Sequence, residues 1–140
     1  MQKKFIPVNS PLITREDAMK VYKVVKSGWI SSAGKEIENF EKKFSAFVGR
    51  KYACAVSSGT AALEIAVKSL DLKKKSEIIM PSFTIISTAN SIIKNGHIPV
   101  LVDSDPNTWN IKIQDIEKKI TKKTKAIMVP HIYGFPCEMD

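Results

Sequence analysis

The sequence is poor in cysteine and contains no long apolar run. Its two cysteines, Cys54 and Cys137, form no CxxC pair, and two cysteines cannot build the disulfide framework of a small secreted domain. No apolar segment approaches the roughly 18 residues that a membrane-spanning helix needs, and the first residues lack the apolar core of a signal peptide. We therefore expect a cytoplasmic protein without disulfides, a metal site or a membrane partner.

Motifs for binding nucleotides and nucleic acids are also absent. The chain has neither the GxGxxG pattern of dinucleotide-binding folds nor the GxxxxGK[ST] phosphate loop. Its formal net charge is +8, but the lysines are scattered or lie in short clusters without interleaved aromatic residues. We interpret this charge as a solvated basic surface and expect no nucleic-acid partner.

The first 50 residues predict an N-terminal arm and two helices. Thr14 and Asp17 have capping-box spacing, and Gly28 is placed to end the first helix. The second helix is predicted over residues 35–49, up to a glycine. Apolar residues recur there at helical spacing and are expected to form a core: Ile37, Phe40, Phe44, Phe47 and Val48.

Residues 51–140 alternate between apolar runs and helical patterns, in the order βαβαβαβ. Strands are predicted over 52–56, 77–81, 98–103 and 125–134, and helices over 60–70, 84–96 and 113–120. The strands show no polar alternation, which is typical of strands covered by helices on both faces. The prediction is therefore an α/β domain with a mostly parallel sheet, preceded by the two N-terminal helices.

Ligands of parallel sheets bind at the carboxyl ends of the strands. The segment VSSGTAAL follows the first predicted strand and opens a helix. First-turn amides of a helix attract anions, Gly59 permits close approach to the backbone, and Ser58 and Thr60 add hydroxyl groups. These residues fit either a plain helix cap or a phosphate site. Asp103 and Asp105 are interpreted as turn-capping residues rather than an acid–base pair.

Segments along the whole chain together resemble one family. They are IPVNSPLI, SGWISSAG, FEKKFSAFVG, VSSGTAALEIA, IIMPSFTIISTANSI, GHIPVLVDSDPNTWNI and ITKKTKAIMVPHIYGFPCEMD. In this order they resemble the N-terminal part of the DegT/DnrJ/StrS sugar aminotransferases, fold-type-I enzymes that use pyridoxal 5'-phosphate (PLP). The resemblance implies the N-terminal portion of the large PLP-binding domain of these enzymes.

The resemblance assigns cofactor contacts to two turns. Ser58, Gly59 and Thr60 correspond to the turn that holds the PLP phosphate. Ile85 stands where the family generally has an aromatic residue stacked on the cofactor ring, so the chain departs from the family there. Phe83 is the nearby aromatic candidate, with core packing as its alternative role.

Substrate contacts are implied for three further residues. Ser31 lies in a segment similar to one that shapes the sugar site, and a loop between helices is its alternative interpretation. His131 and Tyr133 lie in a segment similar to a loop that passes near the active site. A structural role remains the alternative for His131.

The resemblance implies transfer of an amino group, usually from glutamate, to a nucleotide-linked keto-sugar, for surface polysaccharide or related amino-sugar biosynthesis. The resemblance also implies a homodimer. Two alternatives stay open: a PLP-dependent sugar dehydratase, and a catalytically inactive truncated relative that serves as a dimer partner.

The family's cofactor-binding lysine and the aspartate at the pyridine nitrogen come from segments after position 140, so no catalytic residue is assigned. We expect a truncated chain with weak or absent PLP binding of its own. Strand 52–56 is then expected to lack neighbouring strands, and helix 60–70 to be partly uncovered.

Overall fold

A computed structural model describes residues 5–139, which divide into two compact units between Ala55 and Val56. The helical unit (residues 5–55) contains α1 (Arg15–Ser27) and α2 (Lys35–Phe47). The predicted capping box begins α1: the Asp17 amide donates to Thr14 Oγ1 at 3.2 Å, and the Thr14 amide donates to Asp17 Oδ2 at 3.0 Å. Gly28 ends the helix at φ +77°, a left-handed conformation that favours glycine. Both predictions are confirmed.

The expected phenylalanine core of α2 is wrong. Phe40 and Phe44 stack with ring centroids 5.7 Å apart, but both stay about half exposed, and Phe47 is 88% exposed. Within residues 5–55 the structure contains two helices and no sheet against which this apolar side could pack. The helical spacing of the apolar residues therefore correctly indicated an amphipathic helix, but it did not show that these residues are buried.

The sheet unit (residues 56–139) alternates helices and parallel strands. Its elements are α3 (Gly59–Ser69), β1 (Glu77–Pro81), α4 (Ile86–Lys94), β2 (Ile98–Val102), α5 (Ile113–Ile116) and β3 (Thr124–Ile127). Short 3₁₀ turns follow at Glu117–Lys119 and Ile132–Gly134. The strand order is β2-β1-β3, and Ile79 of β1 pairs with Val100 on one side and Ile127 on the other.

Apolar clusters cover both faces of the central strand, as predicted for a parallel sheet. Ile78 and Met80 point to one face, where they pack with Val67 of α3 and Ile92 of α4. Ile79 points to the other face, in a second cluster with these buried residues: Val102, Ile111 and Cys137. This alternation follows from the two-residue period of a strand. Ile116 of α5 packs against the second cluster, so a helix lies on each side of β1.

The prediction of a first strand over residues 52–56 is wrong, so the observed order is αβαβαβ. A strand exists only through hydrogen bonds to a neighbouring strand, and among residues 5–139 the strands β1, β2 and β3 pair only with one another. The Ala55 amide instead donates to Glu41 Oε1 at 2.8 Å, and Tyr52 is 77% exposed.

Several predicted boundaries also shift. The helix predicted over 113–120 is α-helical only to Ile116 and continues as a 3₁₀ turn, before Ile120 becomes extended. The last strand ends at Ile127 instead of continuing to residue 134, and Pro130 lacks the N–H that a longer ladder would use. No helix among the described residues has the length and apolar character needed to cross a bilayer.

Candidate functional site

The polar loops of the sheet unit share one edge of the sheet. Because β1, β2 and β3 are parallel, the segments 82–85, 103–112 and 128–137 all begin at that edge. The N-terminus of α3 lies there too, since Thr60 Oγ1 is 2.9 Å from Ser87 Oγ in the first turn of α4. This edge is where ligands of parallel sheets bind.

The start of α3 combines a helix cap with unused backbone donors. Ser58 Oγ accepts from the Ala61 amide at 3.2 Å, and the Ser58 carbonyl accepts from the Ala62 amide at 3.0 Å. Among the described residues, the Gly59 and Thr60 amides have no acceptor. A Cβ placed on Gly59 would meet no atom within 4 Å, so the backbone of this turn is open on that side. The cap and the anion-attracting turn therefore coexist.

The turn between β1 and α4 carries the two residues considered for the cofactor ring. Ile85 precedes the first helical residue, makes no side-chain cap, and is 63% exposed. Phe83 is 44% exposed, and its ring meets Trp109 edge to face, with centroids 5.5 Å apart. Phe83 is thus a partly exposed surface contact rather than a fully buried core residue.

Trp109 also meets Tyr133, with ring centroids 6.5 Å apart at 64°. One aromatic residue from the loop after each strand therefore joins a continuous row: Phe83, Trp109 and Tyr133. A hollow of about 250 Å³ lies against Phe83 and Trp109 and is lined also by Ser104, Asp105 and Pro106. Trp109 and Tyr133 have φ of +61° and +51°, which is unusual for bulky residues. The surrounding loops must hold this conformation.

Two polar side chains hold these loops together. His131 Nδ1 accepts the Cys137 amide at 2.9 Å, which closes the segment around Tyr133. Asn110, which is 6% exposed, donates through Nδ2 to the carbonyls of Phe135 and Pro136 at 3.3 and 3.0 Å. One ring nitrogen of His131 is thus occupied by its own loop, and only the other remains for a ligand.

Asp105 shapes the loop that carries Trp109. Its Oδ1 accepts the Asn107 and Thr108 amides at 2.8 and 3.0 Å. These two hydrogen bonds, first that of Thr108, hold the pKa of Asp105 below its ordinary value. The prediction of a turn-capping role is confirmed for Asp105. Among residues 5–139, no three His, Cys, Asp or Glu side chains are grouped to hold a metal ion.

Ser31 lies in the helical unit, in the turn between α1 and α2. It is exposed, and its carbonyl accepts the Gly34 amide at 3.3 Å. A hollow of about 520 Å³ lies between these helices, with Trp29 and Lys35 in its wall, and Ser31 does not line it.

Sequence reasoning missed two residues of the sheet edge, Trp109 and Ser87. Trp109 carried a usable signal, because an aromatic residue follows the end of a predicted buried strand by a few positions. Ser87 carried none, because its partner Thr60 lies 27 residues away.

Comparison with known proteins identifies the family. The DegT/DnrJ/EryC1/StrS aminotransferase family matches residues 11–140. Over 137 residues the chain is 44% identical to GDP-perosamine synthase of Escherichia coli O157:H7, covering 98% of this chain and 38% of that protein. The chain therefore spans well under half the length of this curated relative.

Solved structures show the same fold-type-I architecture. The aminotransferase from Psychrobacter cryohalolentis superposes with a TM-score of 0.84 at 35% identity, over 91% of this chain and 32% of that one. The E. coli GDP-4-keto-6-deoxy-D-mannose-3-dehydratase with bound hydrated PLP gives 0.80 at 30% identity, over 88% and 33%. Sequence and fold agree that this chain belongs to the DegT/DnrJ/EryC1/StrS aminotransferase family and corresponds to the N-terminal portion of its PLP-binding domain.

Proposed function

We propose that the N-terminus of α3 binds the phosphate of PLP. The observation that supports this most directly is the pair of Gly59 and Thr60 amides, which have no acceptor among the described residues and lie beside open space at the ligand-binding edge. The helix dipole favours an anion there. Thr60 adds a hydroxyl group, while Ser58 fixes the turn by capping it. These donors fit a phosphate monoester.

The positions of the loops after β1 support the proposed contacts to the cofactor ring, and the resemblance of their segments to the family supports the proposed substrate contacts. We propose that Ile85 packs on the cofactor ring, with Phe83 beside it, since both are exposed in the turn after β1. Ser31, Tyr133 and the free nitrogen of His131 are proposed substrate contacts. When bound, PLP supplies the electron sink for exchange of an amino group at a carbon atom. The residues of this chain are proposed to bind and orient the cofactor and the substrate. None of them is assigned a proton transfer.

The whole protein is proposed to transfer an amino group from glutamate to a nucleotide-linked keto-sugar, as a homodimer, for surface polysaccharide or related amino-sugar biosynthesis. The similarity to GDP-perosamine synthase supports this substrate class. A second candidate reaction is dehydration of such a sugar, which the superposition on the dehydratase supports. The two reactions, and a catalytically inactive relative, differ in the residue at the family's cofactor-binding lysine position, to which no residue of this chain is assigned.

The phosphate site is tested by nuclear magnetic resonance on the ¹⁵N-labelled chain. Pyridoxamine 5'-phosphate is the probe because it has no aldehyde to react with the many lysines, and pyridoxamine is the control without phosphate. We expect weak binding that shifts the Gly59 and Thr60 amide signals with the phosphate compound and not with pyridoxamine. Equal responses to both compounds, or no response at these amides, would contradict the proposal.

Gly59→Ala sharpens this test. Its Cβ meets no protein atom, so the variant is expected to fold, while the added methyl group narrows the open approach to the backbone of the turn. We expect roughly tenfold weaker binding of pyridoxamine 5'-phosphate, the loss of about one charge-assisted hydrogen bond. The matched control is Gly34→Ala, where a Cβ makes ordinary contacts at the start of α2. Unchanged affinity in Gly59→Ala would count against the site.

A further inference from the structure

Ser87 is the one helical serine among residues 5–139 that makes no hydrogen bond to its own helix. The other four each donate to the carbonyl three residues earlier: Ser27, Ser45, Ser69 and Ser91. Ser87 instead places its Oγ 2.9 Å from Thr60 Oγ1 on α3. Ser87 is the second residue of α4, so the carbonyl three residues before it lies outside the helix, and it is the choice of Thr60 as its partner that needs a reason.

Holding α3 against α4 is not a sufficient reason, because other contacts already do so. Lys94 Nζ lies 2.6 Å from Glu64 Oε1, and Asn95 Nδ2 donates to the Glu64 carbonyl at 3.1 Å. Val67 and Ile92 add a shared apolar core between the two helices. The Ser87–Thr60 contact lies instead at the N-terminal ends of both helices, beside the proposed phosphate site.

The number of hydroxyl hydrogens decides what this contact does. Thr60 Oγ1 carries a single hydrogen, and either oxygen of the pair can be the donor. If Thr60 donated to Ser87, it would have no hydrogen left for an anion. If Ser87 donates to Thr60, the Thr60 hydrogen is free, and accepting a hydrogen bond makes that hydroxyl a stronger donor.

We propose that Ser87 is a positioning residue for the phosphate site: it donates to Thr60 Oγ1 and thereby fixes the Thr60 rotamer and directs its hydroxyl hydrogen toward a bound phosphate. This inference rests on the proposed function. It assigns a role to Ser87 that acts through Thr60, without direct contact between Ser87 and the ligand.

The test compares Ser87→Ala, the conservative Ser87→Thr and the control Ser69→Ala, an exposed serine at the far end of α3. Two readouts are measured on the labelled chain: affinity for pyridoxamine 5'-phosphate and inorganic phosphate, and the Thr60 χ1 rotamer from scalar couplings without ligand. We expect about fivefold weaker binding of both compounds in Ser87→Ala, with Thr60 averaging between rotamers. Ser87→Thr is expected to restore both readouts, and Ser69→Ala to change neither.

An unchanged Thr60 rotamer in Ser87→Ala overturns the inference, whatever the affinity. A loss of affinity that Ser87→Thr does not restore, together with an equal loss of stability, also overturns it, because the contact would then be purely structural. If the unsubstituted chain binds neither compound, the proposed function fails, and the rotamer measurement still decides the role of Ser87.

Discussion

The two units of the chain form helices in different ways. In the helical unit α1 has no buried residue, and Val25 is 62% exposed. In the sheet unit α3 buries Val67 to 2% exposure against β1 and α4. The first helix is therefore defined by its local capping box and terminal glycine, whereas the second is also held by contacts distant in sequence. Local signals suffice to form a helix, but a core needs a facing layer.

A matched pair of valine substitutions gives the largest contrast. Val67→Ala removes two methyl groups from the core and is expected to lower the free energy of unfolding of the sheet unit by about 2 kcal/mol. Val25→Ala removes the same groups from an exposed helix position, where alanine's higher helix propensity is expected to raise stability by up to about 0.5 kcal/mol. Residue-resolved hydrogen exchange reports each unit separately. A large loss in Val25→Ala would show that this side of α1 is covered in solution.

Capping substitutions sharpen the comparison with a smaller effect. Thr14→Ala removes the capping box of α1, and Ser58→Ala removes the cap of α3; each is expected to cost about 1 kcal/mol. The helix signal of α1 should fall, because nothing buried supports it, while α3 should remain helical through its packing. Amide and Cα chemical shifts measure both helices. If both variants lost the same amount of helix, the conclusion that α3 is held by packing and α1 only by its cap would be wrong.

Acidification is expected to have the smallest effect, and it differs between the units. The Thr14 hydroxyl and then the Thr14 amide hold the pKa of Asp17 below its ordinary value. Because the folded-state pKa is depressed, the contribution of Asp17 is present above about pH 4 and is lost as pH falls through the folded-state value. The first turn of α1 should therefore loosen in acid.

The pKa of Asp105 is also depressed, so its stabilising contribution is likewise lost as the pH falls. Its protonation should loosen only the loop around Thr108 and leave β1 intact. A pH titration by nuclear magnetic resonance follows both sites. Asp17→Asn should remove the acid transition of α1, and its persistence in that variant would exclude Asp17 as the cause.

Prediction from sequence succeeded where the determinant is local. Thr14, Asp17 and Gly28 bound α1 through contacts within a few residues, and the apolar run 77–81 became the buried strand β1. The failures at residues 52–56 and in α2 have one cause. Residues 52–56 are as apolar as β1 but form no strand, because no strand pairs with them in the described chain. Phe40 and Phe44 stay about half exposed because residues 5–55 supply no facing layer.

The sequence by itself determined the helix caps, the parallel α/β pattern and the small polar turn at Ser58. These features depend on residues adjacent in sequence and on the spacing of apolar residues along the chain. Only the tertiary structure decided that Trp109 joins Phe83 to Tyr133, and that Ser87 reaches Thr60 across 27 residues. The physical reason is that parallel strands bring separate loops to one edge of the sheet. Distance along the chain then no longer measures distance in space.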